Sequence, residues 1–336
     1  MSFKFFIGID VSKNTLDIGL LEVSNPESVN HLQVSNNDEG IIDLLKWLQK
    51  QEGFLIDESL FCLEHTGMYN FPLLQFFSQQ IACVWVENAI QIKKSLGLQR
   101  GKNDKVDAIR IAQYAYRFKD QVKLWKPVRE IIDRLKQLSA LRERLVETKK
   151  RLLTPVEELF KVGNESMAKV LEKSMSKTMK GLDKDLQAIE DQMKDIINKD
   201  DDLKRLYELV TSVIGIGFVT AVNMLVCTNE FKLFRNHRQF ACYSGVAPFE
   251  YRSGISIKGR SRVSHMANKK MKRYLHMASL TGIKLDEGLK NYYNRKVEEG
   301  KNKMSILNAI RNKLLARIFA VVNRGFAYQK NYLNLS

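Results

Sequence analysis

No apolar stretch in the 336 residues reaches the ~18 needed to cross a bilayer, and Met1 to Gly19 lacks a basic segment followed by a cleavable apolar one. An intracellular, soluble protein with no membrane partner is expected. Cysteine is scarce: Cys62, Cys83, Cys227 and Cys242 form no CxxC pair and sit inside apolar stretches. Their placement disfavours a structural zinc site and a disulfide framework and predicts reduced core residues. Acids are the third scarcity, and they are missing from one place. From Phe231 to the end there are 22 Lys or Arg against 5 Asp or Glu, a local +17, while the rest of the chain comes to −1 of the total +16. An asymmetry of this kind points to a polyanion, with nucleic acid ahead of membrane because no strongly amphipathic anchor accompanies it. With 44% hydrophobic and 27% charged residues the chain can bury a core, and its length suggests about two domains.

Three segments emerge. Residues 1–125 read as α/β. Phe3 to Asp10 and Thr15 to Leu21 flank the polar turn Ser12-Lys13-Asn14 and predict a hairpin, with a third strand closing at Val34. A helical pattern starts at Asp38 and stops before Gly53; Leu60 to Glu64 and Ile81 to Val86 read as buried strands around a helix at Phe71 to Ser78, and Asp104 to Phe118 returns to helix. Residues 126–207 change character. Leu138, Leu141 and Leu145, then Leu182, Leu186, Ile189, Met193, Ile196 and Leu203, predict two long helices, broken near Pro155 and around Gly163, whose seam has one polar member, Asp200. Coiled-coil pairing between chains is the preferred expectation, packing within one chain the alternative. Residues 208–330 read as a mainly helical domain carrying the basic block. It opens on Val213 to Ala221, where Gly215-Ile216-Gly217 precedes a helix; this is either a tight turn or a helix-hairpin-helix turn whose N–H groups meet a phosphate.

Four acids stand out from the first segment. Asp10 and Glu64 end strands, and Asp104 and Asp107 share one face of a helical turn. A carboxylate at the end of a buried strand is unfavourable unless it meets something positive. Each acid alone has a plain structural reading, Asp10 as a turn cap and Asp104 as an N-cap. Taken together in the order hairpin, strand, helix they match what an RNase H-like fold requires. Four converging carboxylates suit hard divalent cations, and one or two Mg²⁺ ions could clamp the oxygens of a phosphodiester. Asp17 and Glu22 fit no such convergence in this reading.

The basic block has its own candidate chemistry. Arg252, Lys258, Arg260, Arg262, Lys269, Lys270, Lys272 and Arg273 occur with no acid among them, a field suited to nucleic-acid phosphates and to charge building on phosphorus. Five serines lie in it: Ser244, Ser253, Ser256, Ser261 and Ser264. Any of them could be a nucleophile, a phosphate contact or a turn former, and no His-Asp pair accompanies Ser253 to activate it. His265 has no second ligand at metal spacing.

The segments GIDVSK around Asp10, LEHTG at Glu64 and GKNDKVDAIRIAQYA at Asp104 and Asp107 resemble the RuvC-like DEDD domain of a family of bacterial insertion-sequence transposases, the bridge-RNA-guided serine recombinases. VIGIGFVTA, YSGVAPFEYRSG and ANKKMKRYLHMAS resemble the second half of that family, in the same order. After Gly259 many members carry a Thr-Lys-x-Gly-Asn pattern, where this chain has Ser264-His265-Met266-Ala267-Asn268. The resemblance implies an α/β plus all-α chain: a RuvC-like domain, coiled-coil helices and a helical serine-bearing domain. It implies that Asp10, Glu64, Asp104 and Asp107 hold Mg²⁺ and that Ser253 forms a covalent phosphoserine link. It also implies donor and target DNA, a structured guide RNA, a dimer or tetramer, and a cytoplasmic, nucleoid-associated setting. The rival readings are a RuvC-like nuclease or junction resolvase using water, and a non-catalytic nucleic-acid-binding protein.

Overall fold

A computed structural model describes residues 3–80, 82–95, 97, 103–253 and 257–330, with the backbone alone for 250–253, 257, 258 and 260. The chain divides into two compact units, Met1–Pro127 and Val128–Ser336.

The first unit runs β1 (Phe5–Val11), β2 (Thr15–Glu22), β3 (Asn25–Ser35), α1 (Asp38–Gln49), β4 (Ser59–Glu64), α2 (Phe71–Gln79), β5 (Cys83–Glu87), α3 (Ala89–Ser95) and α4 (Asp104–Arg117). Ser12 closes the first hairpin, its Oγ donating to the Thr15 carbonyl and accepting from the Thr15 N–H, both at 3.0 Å. The sheet order is β3-β2-β1-β4-β5, with β1 to β3 antiparallel and β4 and β5 parallel to β1. This is the RNase H-like α/β arrangement expected from the sequence. Alternation along β1 divides its two faces. Phe5, Ile7, Ile9 and Val11 pack with Leu44 and Leu48 of α1 and Leu73 and Phe77 of α2. On the other face Phe6 meets Ile111, Ala112 and Ala115 of α4.

That second face also holds two glycines in register, Gly8 opposite Gly19. A Cβ on Gly8 would fall 2.2 Å from the Ala112 nitrogen and 2.3 Å from the Ala108 oxygen, and one on Gly19 2.9 Å from the Ala108 oxygen. The backbone of α4 therefore lies directly on the hairpin, an approach open only to residues without a side chain.

The second unit runs α5 (Glu130–Lys161), α6 (Glu165–Asn198), α7 (Asp201–Thr211), α8 (Phe218–Thr228), α9 (His237–Tyr243), β6 (Phe249–Ser253), β7 (Ile257–Arg262), α10 (Lys269–Leu285), α11 (Glu287–Glu298) and α12 (Lys303–Arg324). Three sequence expectations change. Pro155 does not break a helix: α5 passes through it. Thr154 Oγ donates to the Lys150 carbonyl at 2.9 Å beside the bond that proline forfeits, and Val156 is buried on the following turn. Asp200 is no seam residue but the N-cap of α7, accepting from the Leu203 N–H at 2.9 Å, while Leu203 itself is buried with Ile189, Met193 and Ile197 as expected. The seam is also filled within the chain. Gly163, at φ +80°, turns α5 back onto α6, where Ile132 and Leu135 pack with Ile189, Met193 and Ile197. Arg142 pairs with Glu190 at 2.7 Å and Lys149 with Asp183. Leu141, expected in the seam, is exposed.

The break at Gly163 holds, and so does the turn at Gly215. Gly215 has φ +99°, and a Cβ there would stand 2.7 Å from the Ala278 oxygen of α10. Gly217 is the N-cap of α8 without a side-chain partner. The small sheet β6–β7 was not expected in a region read as helical. All four cysteines are free. Among the described residues no helix is long and apolar enough to cross a membrane.

Two glycines test the packing argument. Gly8→Ala is expected to destabilise the protein by about 3 kcal/mol, because the α4 backbone has to move. Gly181→Ala, in the middle of α6 with nothing within 4 Å of the new Cβ, should stabilise by roughly 0.5–1 kcal/mol through helix propensity. Urea unfolding of both variants against wild type measures the two signs.

Candidate active site: strand-end carboxylates and a basic serine hairpin

In the first unit the sheet register sets the acids side by side. Asp10 lies one residue beyond the Ile9–Leu63 pair and Glu64 one residue beyond it on β4, both on the α4 face. Asn37 and Asn103 cap α1 and α4 in the same way: the Asn103 side chain accepts from the Val106 N–H at 2.7 Å. Asp104 and Asp107 thus occupy the first turn of α4, one turn ahead of the residues that sit on Gly8. Arg110 Nη1 holds Asp107 Oδ1 at 2.9 Å.

The Asp10 carboxyl is pushed up to about 6, first by burial and then by the charges of Glu64, Asp104, Asp107 and Asp17. The other three expected acids are therefore within electrostatic reach of Asp10. Among the described residues, however, no three acidic, histidine or cysteine side chains close around a common point that could hold an ion. The donor chemistry still suits a hard divalent cation: the donors are all oxygen, and their mutual repulsion is what a positive charge would relieve.

Asp17 corrects the sequence reading. It stands directly opposite Asp10 in the hairpin register, so both side chains lie on one face, and its charge acts on Asp10. Asp17 is 3% exposed and held by His31 Nε2 at 2.8 Å and Gln33 Nε2 at 2.9 Å. The signal was present in the sequence, since Asp10 and Asp17 are equidistant from the Lys13–Asn14 bond on which the hairpin centres. Glu87 was also missed. It pairs with Glu64 across β4 and β5 and accepts from Tyr114 Oη at 3.2 Å.

In the second unit Ser253 ends β6, with its backbone paired to Ile257, and Arg252 is paired to Lys258. The residues between, Ser256 among them, lie outside the described residues, as do the side chains of Arg252, Ser253, Lys258 and Arg260. The other serines sort out. Ser244 is buried, its Oγ donating to the Phe240 carbonyl at 2.8 Å at the end of α9. Ser264 Oγ accepts from the Met266 N–H at 3.2 Å, a turn former. Ser261 and His265 are exposed, as are Arg262 and Lys269.

The basic first turn of α10 is not uniformly free. Lys270 reaches Glu143 Oε2 of α5 at 2.6 Å and Arg273 pairs with the same carboxylate, so one acid partly neutralises two of the expected nucleic-acid contacts. Lys272 points elsewhere, along Gly245.

The sheet order, with acids at the ends of β1 and β4 and at the start of α4, is that of an RNase H-like domain. Residues 7–163 match a family model described as transposase, of the DEDD type associated with IS110, and residues 207–294 match one described as transposase, IS116/IS110/IS902 family. The chain belongs to the IS110/IS116/IS902 transposase family, and is a DNA transposase/recombinase. It is 27% identical over 331 residues to the pilin gene-inverting protein of Moraxella lacunata, covering 97% of this chain and 98% of that protein. A second similarity, 27% over 124 residues, is to the insertion element IS110 uncharacterized 43.6 kDa protein of Streptomyces coelicolor, covering 37% of this chain and 30% of that one.

The raised Asp10 value has a stability consequence. The folded state binds this proton more tightly than the unfolded state, so the stabilisation is complete below about pH 4 and is lost as pH rises through about 6. Without added metal, Asp10→Asn should melt higher than wild type at pH 7, by roughly 2–4 °C once solvent screening is discounted. At pH 4 the two should coincide. Melting curves at both pH values check this, and a lower melting temperature for the variant at pH 7 would contradict the electrostatic account.

Proposed function

We propose that the protein cuts and rejoins the DNA of a mobile element through a covalent phosphoserine intermediate at Ser253, with Mg²⁺ held by Asp10, Glu64, Asp104 and Asp107. The observation that carries the reading is the placement of Ser253 at the end of β6, in a two-stranded hairpin whose sequence is basic and which leads into the cationic first turn of α10. Its Oγ attacks phosphorus, a new O–P bond forms, and one bridging P–O bond breaks. The displaced sugar hydroxyl leaves with a proton, and attack on the phosphoserine by a hydroxyl of another strand completes rejoining and frees the serine. A divalent cation at the carboxylates would supply charge neutralisation at the phosphate and lower the barrier to deprotonating the attacking hydroxyl.

The same proposal includes a division of labour, with metal chemistry in residues 1–125, the helical hairpin in 126–207 and DNA handling in 208–330. It includes a homo-oligomer, for which exposed apolar side chains near the tip of the α5–α6 hairpin, Phe160, Val162, Met167 and Val170, offer surface. It also includes a structured guide RNA and a nucleoid-associated, cytoplasmic setting, supported by the family membership and by the +17 segment. A second outcome of the same chemistry is favoured by the near-full-length likeness to pilin gene-inverting proteins: strand exchange between two sites on one DNA, which inverts the segment between them.

The test is a covalent-trapping assay on element-end DNA with the RNA transcribed beside the gene. Wild type should give a denaturant-resistant protein–DNA adduct. The adduct should fall at least 100-fold in Ser253→Ala, and in Asp10→Asn or with EDTA. Cleavage that persists in Ser253→Ala without adduct would make water the nucleophile; an undiminished adduct would move the assignment to another serine.

A further inference from the structure

Between α10 and α12 lies a cationic cluster that neither the carboxylates nor the serine hairpin uses. Arg311 of α12 is 4% exposed, flanked by Ile310 and Leu314 of the core. Its Nη2 is 2.7 Å from His276 Nδ1 of α10, and its Nη1 donates to Asn308 Oδ1 at 3.3 Å. Asn308 Nδ2 in turn donates to the Val246 carbonyl at 2.6 Å. The Arg311 Nε is buried with no hydrogen-bond partner. Lys272, one turn before His276 on the same face of α10, runs past Gly245, with its Cδ 3.6 Å from where a Cβ there would stand.

What is absent from this cluster is an anion. Among the described residues no carboxylate pairs with Arg311 or Lys272, whereas other buried charges of the same unit are neutralised. Asp286 meets Arg317 at 2.7 Å, and Glu230 meets Arg129 at 2.8 Å and Lys232 at 3.0 Å. Burial, and then the Arg311 charge, push both the Lys272 ammonium and the His276 imidazole below their ordinary values, as expected where cations face one another without a counter-charge. An unpaired guanidinium in a core is strongly unfavourable, and an anion from outside would relieve that cost.

The donors are set for an oxyanion. Arginine can only donate, so His276 Nδ1 is the acceptor and its proton sits on Nε2. His276, Lys272 and Asn308 are half-buried around the buried Arg311. Residues 244–246 form the loop that leads into β6, and the whole cluster lies in the +17 segment. We propose that Lys272, His276 and Arg311 form a preformed site for one backbone phosphodiester of DNA, beneath the 244–246 loop. The site rests on the DNA-processing role proposed above and extends it to residues on α12 that the sequence did not mark.

The test uses the full-length protein, a short labelled DNA duplex and inorganic phosphate as probes, and the variants Arg311→Met, Lys272→Gln and Lys301→Gln, the last being an exposed lysine outside the cluster. Arg311→Met and Lys272→Gln are expected to bind duplex roughly 10-fold more weakly, each with a salt-dependence slope smaller by about 1. Lys301→Gln should bind within about 2-fold of wild type. Without DNA, Arg311→Met should melt no lower than wild type, because an unpaired charge has been removed. Should it fail to fold, Lys272→Gln, at a half-buried position, carries the comparison. Wild-type affinity and slope in the folded variants would overturn the site while leaving the transposase reading intact. A wild type that binds no duplex would overturn both. Phosphate that raises the wild-type melting temperature but not that of Arg311→Met, with duplex affinity equal in the two, would assign the cluster to a free anion and overturn the phosphodiester.

Discussion

The first unit depends on one close approach, the backbone of α4 resting on the β1–β2 hairpin at Gly8 and Gly19. With no side chain at either position, the helix backbone at Ala108 and Ala112 occupies the space that a Cβ would need. That contact sets the position of everything one turn earlier on the helix and two residues further along the strand. Asp104 and Asp107 precede Ala108, Asp10 follows Gly8 on the same face, and Asp17 precedes Gly19. A wider gap would separate the acids. At this spacing the Asp10 carboxyl is pushed up to about 6, by burial first and then by the charges of the other acids. A packing requirement and an electrostatic one are met by the same two glycines.

The second unit distributes its cations in three physical states. Lys269 and Arg262 stand in solvent. Lys270 and Arg273 are tied to Glu143 on a different helix, a contact that fixes the start of α10 against α5 and leaves only part of their charge for a partner. Arg311 is buried with no counter-ion among the described residues. A net charge treats these alike. Their energies differ, since solvated cations contribute mainly to long-range attraction, paired ones to local order, and an unpaired buried one to a demand for a specific anion.

Much of the architecture was legible residue by residue. The alternation in FKFFIGID and TLDIGLL marked the hairpin, the helical patterns from Asp38 and Asp104 match α1 and α4, although the cap of α4 is Asn103 and not Asp104, and Gly163 ended α5 as expected. The misreadings have identifiable causes. Pro155 is a strong breaker in isolation, but Thr154 bonds the Lys150 carbonyl beside it and Val156 is buried next to it. Asp200 matched a heptad position by count alone, yet its side chain bonds the next N–H groups and starts a new helix. The β6–β7 hairpin was hidden because a short basic ribbon has no apolar period of its own. The seam was assigned to a second chain because a stripe of leucines carries no information about which helix will face it.

Sequence alone determined which residues could do chemistry: acids at strand ends, a serine in a field of cations, and the order of motifs along the chain that marks the family. These follow from local rules of periodicity, capping and charge, which act over a few residues. Tertiary structure decided which of those residues share an environment. Asp17 joined the acids because an antiparallel register put it opposite Asp10, Lys270 and Arg273 met Glu143 from well over a hundred positions away, and Arg311 became a buried charge when α12 packed against α10. Electrostatic and packing energies depend on distance in space, and only the folded chain sets that distance.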